Sequence, residues 1–351
     1  MQVARLHGPT DIRLADEPSP PSPAQGEVLL HVGTVGLCGS DLHLYETGRL
    51  GYTNANSPFV LGHEFMGVVD ALGDDALDGL HEPLQVGQRV AVDPAVPCWR
   101  CELCEQGHPN LCPNHIFYGL YPEDGALREH MIVSARNCFP IPDGISNESG
   151  PLLETLGVAI HALDLANLRI GHTVAVLGAG PVGLLIARLA VLAGADPVIV
   201  SDKFDWRLQK ARDWGAAHTL NVDKVNPVAA LAELTRGRGV DVAIEAAWAD
   251  HSLQQATEMA RNGGRLVLVG IPPDDKLRIK HSAARRKGLT IMMSRRMKHT
   301  YPRAIQLAAS DKVALDELVS HRFPLAQAAS AYASNAAYEP GINKVILQVG
   351  S

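Results

Sequence analysis

The sequence predicts an α/β protein in two parts: a β-rich part over residues 1–155, then a doubly wound parallel sheet from about residue 156. Three observations carry this. At 351 residues the chain exceeds what one hydrophobic core usually organises. Up to about residue 155, short apolar runs such as GEVLLHVGTVG and QRVAVDPAV are broken by Pro and Gly, the pattern of strands and turns. Beyond it, continuous apolar strands alternate with helical segments, as in a parallel sheet covered on both faces.

Each element follows in order. EPSPPSPAQGE, near the start, reads as a surface loop, because strand-like sequence resumes at once. TVAVLGAG is a buried strand and PVGLLIARLAVLAGA a helix; PVIVSD and FDWRLQKARDWG repeat the pair. VDVAIEA is a strand, SLQQATEMARNG a helix, and GRLVLVGI and LTIMM are further strands. From about residue 295 come a helix, PRAIQLAASD, a Pro-bounded turn and a last strand, NKVILQV. No internal repeat is evident.

Composition narrows the function. Hydrophobic residues make up 46% and charged residues 20%, the balance of an ordinary globular protein. The net charge is −7 with no basic block, which argues against nucleic acid or an anionic membrane as partner. The first residues, MQVARLHGPTDIRLADEP, carry charges throughout, so no signal peptide is expected. No apolar run is long enough to span a bilayer. A cytoplasmic location is expected, where thiols stay reduced.

Cys98, Cys101, Cys104 and Cys112 lie in CWRCELCEQGHPNLC, a C-x2-C-x2-C-x7-C spacing. Four soft ligands in one short loop suit a tetrahedral zinc; two disulfides are the alternative. Cys38 and Cys138 stand outside the loop. Cys138 reads as a buried core residue. His81, His108, His251 and His281 read as solvated loop residues, and Arg285-Arg286-Lys287 as the surface end of a helix.

Gly178-Ala179-Gly180-Pro181-Val182-Gly183 follows a strand and opens a helix, and Asp202 ends the next strand. That context makes G-x-G-x-x-G a dinucleotide fingerprint: tight turn, amides facing a pyrophosphate, and a carboxylate for the ribose hydroxyls. Asp202 would repel a 2′-phosphate, favouring NAD over NADP; nearby Lys203 and Arg207 weaken that preference.

Cys38 in GLCGSDLH and His63-Glu64 in LGHE are bland when read singly, a buried thiol and a surface pair. Beside the fingerprint and the cysteine loop they are not. The segments CGSDLHLYETGRLG, SPFVLGHEFMGVV, CPNHIFYGLYPEDG, GPLLETLGVAIHA and RRMKHTYPRAI are similar to the zinc-dependent medium-chain dehydrogenases, and within them to the sorbitol (polyol) dehydrogenase branch. The likeness covers essentially the whole chain.

The resemblance implies a GroES-like β-rich catalytic domain with an inserted Rossmann domain. Residues 1–155 would be the catalytic domain, with a structural zinc loop at about 95–115. Residues 156–294 would bind NAD, and 295–351 would return to the catalytic domain. It implies two zinc ions. One is catalytic, with Cys38, His63, Glu64 and Glu154 as ligands and Asp41 orienting the histidine. The other is structural, on the four clustered cysteines. Ser40 and His43 match proton-relay positions, and Arg296 an arginine near substrate and nicotinamide. Val182, Asp202, Arg207, Val269, Gly270, Ile271, Ser294 and Arg296 match cofactor contacts, with Gly178, Gly180, Pro181 and Gly183. Tyr45 and Phe117 supply aromatic character near the substrate.

The implied activity is hydride transfer from a secondary alcohol of a sorbitol-, xylitol- or iditol-like polyol to NAD+, giving a ketose. Threonine, an aldose or a simple secondary alcohol is the alternative substrate. A non-catalytic structural relative is the alternative class, and loss of a zinc ligand or of Ser40 would favour it. A homotetramer or homodimer is implied. Two positions depart from the branch. Leu44 stands where a tyrosine is common near the substrate. Ala247-Trp248 replaces a usual Thr-Gly, so that Trp248 is either packing or a ring at the cofactor cleft.

Overall fold

The structure is a computed structural model describing residues 1–249, 251–272 and 274–350. Contacts divide it into two compact units: Met1–Thr155 with Tyr301–Ser351, and Leu156–Thr300. Among the described residues no helix is long and apolar enough to cross a membrane.

The first unit is built around the strand Glu27–Gly36, whose alternating residues Val28, Leu30 and Val32 are fully buried. The strand Glu64–Leu72 pairs antiparallel along its length, from Val28↔Leu72 to Gly36↔Glu64. On its other side His130–Ser134 takes the first half and Lys344–Gln348 the last residues, with Ile346 opposite Gly36. Lys344–Gln348 is paired in turn with Val319–Pro324. Residues from the two ends of the chain thus close one seven-stranded sheet.

The second unit carries a six-stranded sheet, all parallel. Its spatial order is His218–Asn221, Val198–Asp202, Val174–Leu177, Val240–Glu245, Ala260–Leu268, Thr290–Met293. In chain order that is 3-2-1-4-5-6, the dinucleotide-fold order, which reverses between the first and fourth strands.

Three readings of the sequence need correction. The helix expected over SLQQATEMARNG spans only Ser252–Met259, and Ala260 already begins a strand. The cause lies outside the segment: Lys287 Nζ donates to the carbonyls of Thr257 (3.1 Å), Glu258 (2.6 Å) and Ala260 (2.7 Å). It satisfies acceptors that a longer helix would have used itself. Lys287, expected as a solvated helix end, is therefore a cap. His281 opens the helix His281–Lys287 instead of sitting on a loop. Cys138 is fully buried, as read, and burial pushes its thiol pKa well up.

Candidate active site

Two strand ends of the first unit bring three ligand types together. Cys38 follows the strand Glu27–Gly36 and caps the helix Gly39–Thr47; His63 and Glu64 stand at the start of the neighbouring strand. Gly36 lies directly opposite Glu64 in the ladder. One ligand atom from each of Cys38, His63 and Glu64 lies within 4.8 Å of the others. A Cβ on Gly36 would collide with the Glu64 carboxylate, so glycine leaves the space that carboxylate fills.

Asp41 ties the set together. Its Oδ2 accepts from the Cys38 backbone N–H at 3.0 Å, and its Oδ1 lies 3.2 Å from His63 Nδ1. Burial opposes a charged His63, yet Asp41 and Cys38 outweigh it and hold its pKa well above the ordinary value. The pocket thus draws positive charge. The Glu64 side chain is 1% exposed, and buried Lys344 is its ion-pair partner through Oε2. One cysteine sulfur, one imidazole and one carboxylate, brought together in a buried pocket, fit a zinc ion. Phe117 covers the imidazole, with ring centroids 5.4 Å apart.

The other expected residues of this unit are placed as follows. Glu154, on the helix Leu152–Ala166, is 5% exposed but lies outside the three-ligand group. Ser40 and His43 are half-buried on the helix Gly39–Thr47, and burial lowers the His43 pKa. Tyr45 packs into the core, its ring 5.4 Å from that of Tyr332, and Leu44 is buried in the same core.

The four clustered cysteines are free thiols, with Sγ···Sγ distances of 3.5 Å (Cys101–Cys104), 3.5 Å (Cys98–Cys112) and 3.8 Å (Cys101–Cys112). A disulfide requires about 2 Å, which removes the two-disulfide alternative. Tetrahedral zinc with Zn–S near 2.3 Å sets sulfurs about 3.8 Å apart. The Arg100 backbone N–H draws Cys98 down to about 6, whereas burial and then Cys101 and Cys112 push Cys104 up to about 12. The guanidinium of Arg136, on the short turn Ala135–Asn137, lies 3.8 Å over the Trp99 ring and ties the loop to that turn.

In the second unit, the expected cofactor residues gather at the carboxyl ends of the strands. Gly178 has φ 100, and a Cβ there would meet Ala246 O at 2.7 Å, so the fingerprint turn and the loop after the fourth strand touch. A Cβ on Gly183 would strike the carbonyl of Gly178, giving the close helix–strand approach of the motif. Pro181 and Val182 open the helix Pro181–Leu192 behind Gly180. Asp202 accepts from the Ala179 N–H (2.7 Å) and the Phe204 N–H (2.9 Å). The Arg207 guanidinium lies 5.1 Å over the Phe204 ring.

Val269, Gly270 and Ile271 leave the fifth strand, with the amides of the first two bonded to Glu245 O at 2.9 and 3.1 Å. Ser294 leaves the sixth strand, its amide on Leu268 O at 2.8 Å, and Arg296 follows with φ 55. Trp248 also has a left-handed backbone, φ 59, and its ring edge lies against Gly270.

Two residues escaped the sequence reading. Glu245 Oε1 accepts from Ala247 N (2.8 Å), Trp248 N (3.1 Å) and Ser252 Oγ (2.7 Å), so it builds the loop that carries Trp248. Lys344 partners Glu64; its only trace in the sequence is a lysine opening the apolar strand KVILQ.

Comparison with known proteins finds the chain's matches among zinc-dependent dehydrogenases. Residues 24–143 match the alcohol dehydrogenase GroES-like domain, and residues 181–310 the zinc-binding dehydrogenase domain. The chain is 37% identical to sorbitol dehydrogenase of Bacillus subtilis over 327 residues, 93% of this chain and 91% of that one. Among solved structures, an Escherichia coli CFT073 alcohol dehydrogenase complexed with NADH superposes with TM-score 0.86 at 30% identity, covering 99% of both chains. Galactitol-1-phosphate dehydrogenase from Escherichia coli gives 0.89 at 28% identity, covering 99% of this chain and 100% of that one.

Proposed function

The chain belongs to the zinc-dependent medium-chain dehydrogenases, on their sorbitol dehydrogenase branch, and from that premise we propose that it oxidises a secondary hydroxyl of a sorbitol-, xylitol- or iditol-like polyol to a ketose, with NAD+ as hydride acceptor. The observation that carries the site is the convergence of Cys38, His63 and Glu64 over Asp41, separate from the four-cysteine loop.

When bound, zinc supplies a Lewis acid that makes a coordinated hydroxyl acidic, and NAD+ supplies the hydride acceptor. The chain does the rest. Cys38, His63 and Glu64 would hold the ion, and Glu154, a buried carboxylate on the helix Leu152–Ala166, would receive a substrate hydroxyl proton. Asp41 Oδ1 accepts a hydrogen bond from His63 Nδ1–H, which leaves Nε2 as the ligand atom. Ser40 Oγ and His43 lie three positions apart on one helix and so share a face. Burial keeps the His43 ring neutral near pH 7, able to accept the proton passed from Ser40. Phe117, over the His63 ring, would shape an apolar wall, and Tyr45 packs in the core.

In the other unit the amides after Gly178 would meet the pyrophosphate of NAD+, and Asp202 its ribose hydroxyls. Val269, Gly270, Ile271, Ser294 and Arg296 line the nicotinamide end. A buried carboxylate such as that of Glu154 would favour a polyol over an alkanol, because a further hydroxyl of the polyol can donate to it. The four thiolates have no open ligand position and hold shape only.

Two measurements test this. Initial rates with sorbitol, xylitol, ribitol, galactitol, threonine and simple secondary alcohols, each with NAD+, should rank the polyols first; a preference for threonine or an alkanol would sink the substrate class. Metal analysis should find about two zinc per chain. Cys38→Ser should retain one of them and lose turnover, and full activity in that variant would remove the three-ligand site from the chemistry.

A further inference from the structure

Lys344 is, among the described residues, a charged side chain packed against the three ligands that this mechanism leaves without a task. It is 2% exposed, on a strand brought in from the far end of the sequence. Its ammonium has two partners, the Glu64 carboxylate and the carbonyl of Leu37 at 3.0 Å. Leu37 immediately precedes Cys38, so one cation grips both ligand-bearing strand ends. Gly36 makes this possible, because a Cβ there would strike the Glu64 carboxylate and lie 3.1 Å from Lys344 Cε.

A carboxylate shared with an ammonium is a weaker metal donor than one held by the metal alone, and the ammonium itself repels a divalent cation across a low-dielectric core. We propose that Lys344 is a positioning residue that draws Glu64 away from full engagement with the metal and so weakens the hold of the three-ligand site on its ion. The site then keeps an electron-poor, exchangeable ligand sphere for substrate, with Glu64 as its movable member. This rests on the reading that Cys38, His63 and Glu64 hold zinc.

The sign of one effect separates this role from simple bracing of the sheet. Bracing predicts that removing Lys344 loosens the site and zinc leaves faster. The proposal predicts the reverse, because a positive charge that competes with the metal has gone. Zinc transfer from the holoenzyme to a chromophoric chelator should show two phases, and the phase missing in Cys38→Ser identifies the three-ligand site.

Lys344→Gln retains a donor for Leu37 O without the charge. It should slow that phase by about tenfold, the order expected for deleting one unit charge several ångströms from the ion, and leave the four-cysteine phase unmoved. Lys344→Arg keeps the charge and should stay within about twofold of wild type. An unchanged or faster phase in Lys344→Gln overturns the proposal. If that variant does not fold, Lys344→Arg decides: a tenfold departure in either direction overturns it. Should Cys38→Ser still carry both zinc ions, the site reading itself fails. If it carries one while Lys344→Gln matches wild type, only the role of Lys344 fails.

Discussion

Asp202 holds its own loop together with the same carboxylate that would meet the cofactor. Its bond from Ala179 N–H reaches into the fingerprint turn, and its bond from Phe204 N–H fixes the start of the next helix. Each oxygen keeps a second lone pair for a ribose hydroxyl. Asp202→Ala removes shape and recognition at once. Hydrogen bonds to a charged group contribute about 1.5–3 kcal/mol, so kcat/KM with NAD+ should fall about 10–100-fold. With NADP+ the fall should be smaller, because the carboxylate that opposes a 2′-phosphate is gone while Lys203 and Arg207 remain. Steady-state rates with both cofactors check this; equal losses would reduce Asp202 to a loop brace. Asp202→Asn, which can still accept from Ala179, should change the cofactor ratio more than the overall rate.

The strand Val240–Glu245 carries a buried acid at each end, and each organises what surrounds it. At the carboxyl end Glu245 builds the Trp248 loop. At the amino end Asp241 accepts from Arg238 (2.7 and 3.1 Å), from Arg261 (2.6 Å) and from Thr173 N–H (3.0 Å). Burial alone would raise the Asp241 pKa, but the two guanidinium groups and the amide overcome it and hold the carboxyl well below its ordinary value. A depressed folded-state pKa adds stability that is present above the unfolded value of about 3.9 and is lost as pH falls through the folded one. Asp241→Asn should therefore cost about 2 kcal/mol at pH 7, less than a fully buried pair because both arginines are partly exposed. The gap in unfolding midpoint between variant and wild type should narrow as pH drops below about 4. A gap that is constant across that range would mean the carboxylate charge contributes nothing.

At the scale of the molecule, what could be read in advance follows sequence distance. Cys98 to Cys112 and Gly178 to Gly183 are local, so spacing alone signals their geometry. Cys38, His63 and Glu64 are separated, and only likeness to a family joined them. Lys344 reaches Leu37 across 307 positions, and Lys287 ends a helix 29 residues before it, contacts that no local pattern encodes. The same distances divide the two units in their capacity to fold. Leu156–Thr300 is contiguous and holds all six strands of its sheet with its own core. The first unit draws two strands of its sheet, Val319–Pro324 and Lys344–Gln348, from beyond that insertion. Residues 156–300 expressed alone should therefore melt cooperatively and bind NADH, seen as enhanced nucleotide fluorescence. Residues 1–155 alone would leave the last third of Glu27–Gly36 unpaired on one edge and Glu64 buried without its cation, so they should aggregate or stay unfolded, zinc present or not. A cooperative transition from 1–155 alone would show that the C-terminal strand is dispensable to the metal-bearing unit. Failure of 156–300 to melt cooperatively would show that its sheet depends on the rest of the chain.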